Sequence, residues 1–319
     1  MTTESSRMFW REAFTFRGAA TLRVLPSVFS FGVIAYFICL VSLTWHDMSI
    51  EVGPHEVVGA LLGLLLVLRT NAGYERWWEA RKLWGGIVNQ SRNLAMTALA
   101  YGPDDPRWRE AIVRWTAAFA HVARASLRGE RDIPALVELL GREEAGRVLA
   151  ARHMPNYVIQ TIAALLKDAI RRNEMDRFGF HQADRERASM IDHIGACERI
   201  LKTPLPIVYS IKIRRFIALF LTTLPFALLH QFENTFLGLL VPMVTMLIAY
   251  PILGLDQIGI ELQNPFSTRS LSHLPLDEIA QNLERDLLAL LDFEPETSVE
   301  SGELALAGSP SVGGERTSD

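Results

Sequence analysis

Residues 24–45 read VLPSVFSFGVIAYFICLVSLTW, and residues 234–255 read NTFLGLLVPMVTMLIAYPILGL. Both stretches lack Asp, Glu, Lys and Arg, and each has the roughly 20 residues that a helix needs to cross a bilayer. Their apolar residues do not alternate with polar ones as in barrel strands, and hydrocarbon then leaves only helices as spanning structures. The two stretches therefore predict an all-α membrane protein.

Two shorter apolar stretches, Val57–Leu68 and Phe216–Leu229, predict a second pair of spans. At 1.5 Å per residue neither crosses about 30 Å alone, so a pair of buried or re-entrant helices is the alternative. The connecting residues 46–56 and 229–234 contain no Lys or Arg, whereas basic residues flank the opposite ends of the apolar stretches. We therefore predict four transmembrane helices, and the positive-inside rule puts both termini in the cytosol.

The remaining polar sequence excludes several classes of function. With a net charge of −4 and no basic cluster interleaved with aromatic residues, the chain has no feature of a nucleic-acid-binding protein. The two cysteines, Cys39 and Cys197, fit neither a disulfide framework nor a metal-ligand spacing. The chain carries no HExxH, Walker or GxSxG motif. We therefore expect no catalytic residues, no metal and no cofactor, and predict that the protein is not an enzyme.

The second apolar stretch carries two patterns at helical spacing. Gly59 and Gly63 form a pair of small residues four apart, which allows close packing of another helix. Ala60, Leu64 and Leu68 recur every four residues along an adjacent face. Ordinary helix packing explains such a face in a single chain. If several copies surround an axis, rings of Leu64 and Leu68 instead form a narrow apolar constriction.

Three further stretches carry a family resemblance. Residues 69–95 contain the Arg76-Trp77-Trp78 triplet, residues 202–210 read KTPLPIVYS, and residues 261–266 read ELQNPF before LPLDEIAQNLERDL. In order and spacing, over about residues 10–292, the chain closely resembles the bestrophin family of ion channels in its bacterial form. An aromatic and cationic belt at the membrane boundary is the alternative reading of the triplet, and we favour packing at a subunit interface. Glu75 and Glu79 are expected to form ion pairs with Arg76 and Lys82.

The resemblance implies a homopentamer around one central pore in the bacterial cytoplasmic membrane. The family's three neck positions fall on Ala60, Leu64 and Leu68, and its cytosolic aperture falls on Leu205, before Pro206. The structural signature of the family corresponds here to Arg76, Trp77, Trp78, Pro206, Asn264, Pro265 and Phe266. Calcium-activated members carry acidic residues after the last motif, whereas residues 267–275 here contain no carboxylate. We therefore expect no calcium site.

With the resemblance, the chain divides into six segments. They are a cytosolic N-terminal segment (1–23), two spans with a cytosolic extension of the pore helix (24–100), a cytosolic helical region (101–203), two more spans (204–266), a cytosolic C-terminal helix (267–295) and a disordered tail (296–319). In the helical region we predict two short helices over 133–150 and one longer helix over 157–172, because proline and glycine punctuate it.

The function that follows is passive conduction of monovalent ions, with self, membrane lipid and the permeant ions as partners. Four basic residues near the start of the third span favour chloride and other anions if they face the pore, and the alternative is that they are positive-inside anchors: Lys202, Lys212, Arg214 and Arg215. Asp256 and Glu261 favour cations. A sodium or other monovalent cation channel is the nearest alternative. A secondary transporter would show inverted repeats, which the sequence lacks, and a non-conducting membrane scaffold is the other distant alternative.

Overall fold

The structure is a computed structural model that describes residues 11, 20–44, 49–231, 238, 240–270 and 272–292. Within these ranges the chain forms helices and no strand, as the sequence predicts. The helices are α1 (Ala20–Ser42), α2 (Val52–Tyr101), α3 (Pro106–Arg128), α4 (Pro134–Ala150), α5 (Met154–Arg171), α6 (Arg177–Lys202), α7 (Ile207–Gln231), α8 (Val241–Glu261) and α9 (Leu276–Ala289). The predicted disordered tail and most of the predicted N-terminal segment lie outside the described residues.

Helix α2 is one unbroken helix of 50 residues, about 75 Å long at 1.5 Å per residue. Its one proline, Pro54, lies in the first turn, where a missing N–H removes no helical hydrogen bond. The helix ends where Gly102 adopts an extended conformation before Pro103. The predicted span at Val57–Leu68 is therefore the first part of a much longer element.

Two hydrophobic cores lie along α2. The span core joins α2 to α1, α7 and α8 through residues such as Leu62, Leu66, Ile217 and Phe220. The second core joins the C-terminal part of α2 to α3–α6 and α9, and its fully buried side chains include Trp84. The chain thus folds as a group of apolar helices and a group of amphipathic helices, and α2 belongs to both.

The short helices follow the predicted punctuation. Asp105 caps α3, its side chain accepting a hydrogen bond from the Arg107 N–H, and Gly129 ends this helix at φ 71°. Within α4, Gly141 adopts φ 80°, so residues 134–150 form two helices joined at a kink. This agrees with the two helices predicted over 133–150. The kink lies at a glycine because a positive φ is strained for a residue with a Cβ.

Three helical segments in the described part are long and apolar enough to cross a membrane: Leu22–Ser42, the apolar part of α2, and α8. Helix α7 has 25 residues, but Lys212, Arg214 and Arg215 lie in its first half and lower the hydropathy of any long window. The fourth crossing therefore remains a prediction. Helix α8 begins at Val241, seven residues after the predicted start of this span.

Candidate functional site

The predicted neck residues lie on the face of α2 that the other helices in the described part of the chain leave uncovered. Leu64 is 57% exposed and Leu68 51% exposed, and Ala60 is also exposed. On the opposite face Leu62 and Leu66 are each 1% exposed, because they pack into the span core. Folding of one chain therefore leaves the three neck positions available to a partner, a lipid or water.

Polar residues continue this face in both directions. Glu56 lies one turn before Ala60, and Asn71 and Glu75 follow Leu68 at spacings of three and four residues, so all three share the neck's side of the helix. All three are exposed. The face therefore consists of an apolar patch about two turns long between carboxylates.

The two glycines of α2 differ in what they contact. A Cβ on Gly59 would lie 3.2 Å from the ring of Phe220, so this glycine does permit close packing of α7. A Cβ on Gly63 would meet nothing within 4 Å. The sequence suggested that both glycines allow close packing. Within the described part of the chain, Gly59 has this role and Gly63 does not.

Arg69 is a buried charge immediately after Leu68, and it was not among the site residues predicted from the sequence. Its side chain is 1% exposed and forms an ion pair with Asp256 of α8, which is itself 7% exposed. Arg214 Nε of α7 donates to the second oxygen of the same carboxylate at 3.2 Å. Asp256 therefore links α2, α7 and α8 inside the span core.

This cluster changes how two candidate selectivity residues are interpreted. Arg214 and Asp256 were considered from the sequence as opposing charges near a pore entrance, but they bind each other away from the neck face. An isolated Arg and an isolated Asp in two apolar helices are a signal for such a pair, because a charge at membrane depth requires a partner. Neither residue is placed to select ions in the neck.

The arginine and first tryptophan of the triplet tie three segments of the same chain together. The Arg76 guanidinium donates to the carbonyl of Thr203, at 2.9 Å, and to those of Ile200 and Gln263. Trp77 Nε1 donates to the Ser272 carbonyl at 2.6 Å. The Arg76 bonds satisfy carbonyls at or just after the ends of α6 and α8, where a helix leaves carbonyls without a partner. The Trp77 bond holds the link between α8 and α9.

Trp78 differs from its two neighbours in the triplet. It is 47% exposed, so it is the member available for the predicted contact with another subunit. Glu79 forms its ion pair with Arg199 of α6, at 3.1 Å, rather than the expected pair with Lys82. Hydrogen bonds within the chain thus give a structural role to Arg76 and Trp77, and Trp78 has none of this kind in the described part of the chain.

The predicted aperture residue lies in the non-helical link between α6 and α7. Leu205 is partly exposed and is followed by exposed Pro206 and by Ile207, which is 71% exposed. Lys202, which ends α6, donates to Glu198 at 2.8 Å. Leu205, Pro206 and Ile207 thus form a short exposed apolar segment at this link. The assignment of Leu205 to a cytosolic aperture stays a prediction.

The Asn264-Pro265-Phe266 motif anchors the segment after α8. Asn264 accepts a hydrogen bond from the Phe266 N–H at 3.2 Å, and the Pro265 carbonyl accepts from Leu274 at 2.8 Å. Phe266 is fully buried in the second core. The motif therefore fixes a turn and inserts an aromatic ring into the second core. Among the described residues, no three His, Cys, Asp or Glu side chains gather as metal ligands.

Comparison with known proteins adds a family to this geometry. The sequence model of the family described as "Bacterial/Fungal Bestrophin protein" matches residues 1–289. A voltage-dependent anion channel-forming protein of Mesorhizobium japonicum is 32% identical over 288 residues, which cover 88% of this chain and 89% of that protein. The voltage-dependent anion channel-forming protein YneE of Escherichia coli K12 is 31% identical over 288 residues, covering 88% and 91%.

Solved structures have the same fold. The crystal structure of a bacterial bestrophin homolog from Klebsiella pneumoniae, determined by Zn-SAD phasing, superposes with a TM-score of 0.76 at 26% sequence identity. The match covers 85% of this chain and 100% of that one. The similarity therefore extends over both groups of helices.

Proposed function

This chain belongs to the bacterial and fungal bestrophin family, and from that membership we propose that it forms a channel through which monovalent anions cross the membrane passively. The chain is a membrane protein and not an enzyme. We propose further that five copies surround one pore, that both termini lie in the cytosol and that the membrane is the bacterial inner membrane. Chloride, as the common small anion, is the expected physiological ion.

The observation that carries the proposal is the uncovered face of α2. An apolar patch formed by Ala60, Leu64 and Leu68 would be an unusual surface for a soluble protein and, being bracketed by carboxylates, is poorly suited to lipid alone. Around an axis of several copies, the same face becomes an apolar neck with polar mouths. Such a neck conducts when water occupies it and has no charge that selects the sign of the ion.

Support for anions comes from the relatives, whose names describe voltage-dependent anion channel-forming proteins. A cation channel is the second candidate, and a specific observation favours it. Glu56 and Glu75 lie on the neck face on either side of the apolar patch, while Arg69 and Arg214 are paired with Asp256. Rings of carboxylates at both mouths raise the local concentration of cations.

The reversal potential separates these candidates. The purified full-length protein would be reconstituted in planar bilayers under a KCl gradient, and then with potassium replaced by a large organic cation. A reversal potential near the chloride equilibrium potential, unchanged by the replacement, supports an anion channel. A reversal potential near that of potassium makes it a cation channel, and absence of current from correctly assembled protein contradicts both.

A further inference from the structure

A cavity of about 260 Å³ opens between α1, α7 and α8, away from the neck face of α2. Its lining includes Arg23, Phe31, Arg214, Ile217, Leu253 and Asp256. The cavity is larger than a bare ion requires and smaller than a whole lipid.

Each of the three helices presents the same change of polarity along the cavity wall. On α1, Arg23 lies two turns before Phe31, which is farther along the span. On α7, Arg214 precedes Ile217, and on α8, Leu253 precedes Asp256. The charged groups of all three helices therefore gather at one end of the cavity, and apolar side chains line the other end.

The charged end has one positive charge in excess. The ion pairs that include its lining residues join three guanidiniums, those of Arg23, Arg69 and Arg214, to the two carboxylates of Asp256 and Glu261. Arg69 and Glu261 belong to this cluster but do not line the cavity. Arg23 binds Glu261 at 3.2 Å, and Arg69 and Arg214 share Asp256. The terminal nitrogens of Arg214 make no hydrogen bond within the described part of the chain, and its side chain is 58% exposed. A single negative charge beside Arg214 would therefore balance the cluster.

We propose that this cavity binds the headgroup of an anionic phospholipid, with the phosphodiester against Arg214 and Arg23 and the acyl chains leaving past Phe31 and Leu253. A phosphodiester carries one negative charge and accepts the paired N–H donors of a guanidinium. Basic sites between membrane helices at the headgroup level suit such lipids. The proposal requires only that α1, α7 and α8 lie in a bilayer, and it does not depend on ion conduction.

The change of polarity along the cavity favours a lipid over free phosphate. A soluble anion would contact the charged end alone, and the apolar end would remain without a ligand. A phospholipid can place its phosphate at the charged end of the cavity and its glycerol carbons at the apolar end. Removing the acyl chains should therefore abolish binding even though the charge is kept.

Native mass spectrometry of the full-length protein, incubated with phosphatidylglycerol or with phosphatidylcholine of the same acyl chains, tests the site. We expect preferential binding of phosphatidylglycerol, and a loss of roughly fivefold or more in Arg214→Gln. The matched control is Arg215→Gln, which removes the same charge from the adjacent exposed residue that does not line the cavity. Ala218→Phe, which fills the cavity without changing charge, should weaken binding as well and keeps the test valid if Arg214→Gln misfolds.

Three results would overturn the proposal. Equal losses in Arg214→Gln and Arg215→Gln would indicate attraction to a basic surface and not a site. Equal binding of the two lipids would remove the charge argument. Competition by millimolar inorganic phosphate or glycerol phosphate would indicate a soluble-anion site instead. Current measured in bilayers of either lipid reports separately on the channel proposal, so failure of one does not imply failure of the other.

Discussion

At the scale of single residues, exposure within one chain divides α2 into two sides. Leu62 and Leu66 are buried and stabilise the fold, whereas Leu64 and Leu68 are more than half exposed and contribute much less to packing within it. Shortening Leu64 or Leu68 should therefore leave the protomer intact and change only what its uncovered face does. This separation makes the neck positions suitable for substitution.

Leu68→Ala should raise single-channel conductance roughly twofold or more, because a smaller side chain widens the neck and lets water remain in it. The measurement is single-channel current in planar bilayers at fixed voltage. Leu219→Ala is the matched control, since Leu219 is an exposed leucine of α7 at 61%. Unchanged conductance in Leu68→Ala with normal assembly would mean that this face does not line the pore.

Glu56→Gln should shift the reversal potential toward the chloride equilibrium potential, because it removes a ring of negative charge from the outer mouth. Glu51→Gln is the control, as this exposed carboxylate precedes the first residue of α2 and lies more than one helical turn before Glu56. Equal shifts in the two variants would indicate a general surface-charge effect. No shift in Glu56→Gln would remove this residue from the ion pathway.

At the scale of helices, buried charge and hydrogen bonds fix α2 to its neighbours. Arg69 binds Asp256 where the backbones of α2 and α8 approach closely: a Cβ on Gly73 would lie 3.4 Å from the Gly259 carbonyl. Seven residues after Arg69, Arg76 binds the ends of α6 and α8. Both contacts lie near the junction of the two cores, so their loss should affect assembly more than conduction.

Asp256→Asn should lower the stability by about 3–5 kcal/mol, since it leaves the buried Arg69 guanidinium without its counter-charge. Thermal unfolding of the detergent-solubilised protein measures the loss. The double variant Arg69→Met with Asp256→Leu removes both charges and should recover most of it, because a buried pair is nearly neutral against apolar residues of similar size. A double variant as unstable as the single one would contradict this account.

A second helix contact predicts a pH dependence. Partial burial of Asp277 tends to raise the pKa of its carboxyl group, but Arg128 and Arg124 outweigh this and hold that pKa below its ordinary value. The resulting stabilisation of α9 against α3 is present above the unfolded carboxyl pKa near 4 and is lost as pH falls through the lowered pKa. Because the carboxylate is 48% exposed, the contribution should be about 1 kcal/mol.

Asp277→Asn should therefore unfold at a lower temperature than the wild type at pH 7, and the difference should disappear once the pH has fallen through the lowered pKa of Asp277. Glu278→Gln is the control, an exposed carboxylate in the same helical turn for which the described residues contain no ion pair. A difference that persists at low pH would show that the ion pair is not its cause.

At the scale of the whole molecule, the apolar stretches predicted the helical class, and the order and spacing of the motifs predicted the family. The neck assignment of Ala60, Leu64 and Leu68 came from the resemblance and stays a prediction. The continuation of α2 beyond its apolar part was expected from the family resemblance, whereas the pairing of Arg69 with Asp256 was not predicted, because the two residues lie 187 positions apart in the sequence. The contacts of Arg76 were missed for the same reason: Thr203 and Gln263 offer backbone carbonyls, which leave no signal in side-chain pattern.

The uncovered face of α2 also leads to a prediction about assembly. Native mass spectrometry of the detergent-solubilised protein should give a mass near five times 35.8 kDa. A stable monomer would mean that lipid and not other copies covers this face. Another subunit number would keep the channel proposal but contradict the number taken from the family resemblance.

The continuity of α2 has a mechanical consequence. Because α2 is one unbroken helix, a rotation that α3–α6 impose on its C-terminal part would also rotate the proposed neck positions. Leu61 and Val67, 51% and 52% exposed, stand on either side of the neck positions, so a modest rotation in either direction exchanges one hydrocarbon side chain for another. Such a rotation would change the diameter of the proposed neck while its surface stays apolar. It would therefore regulate conduction through pore width and not through polarity.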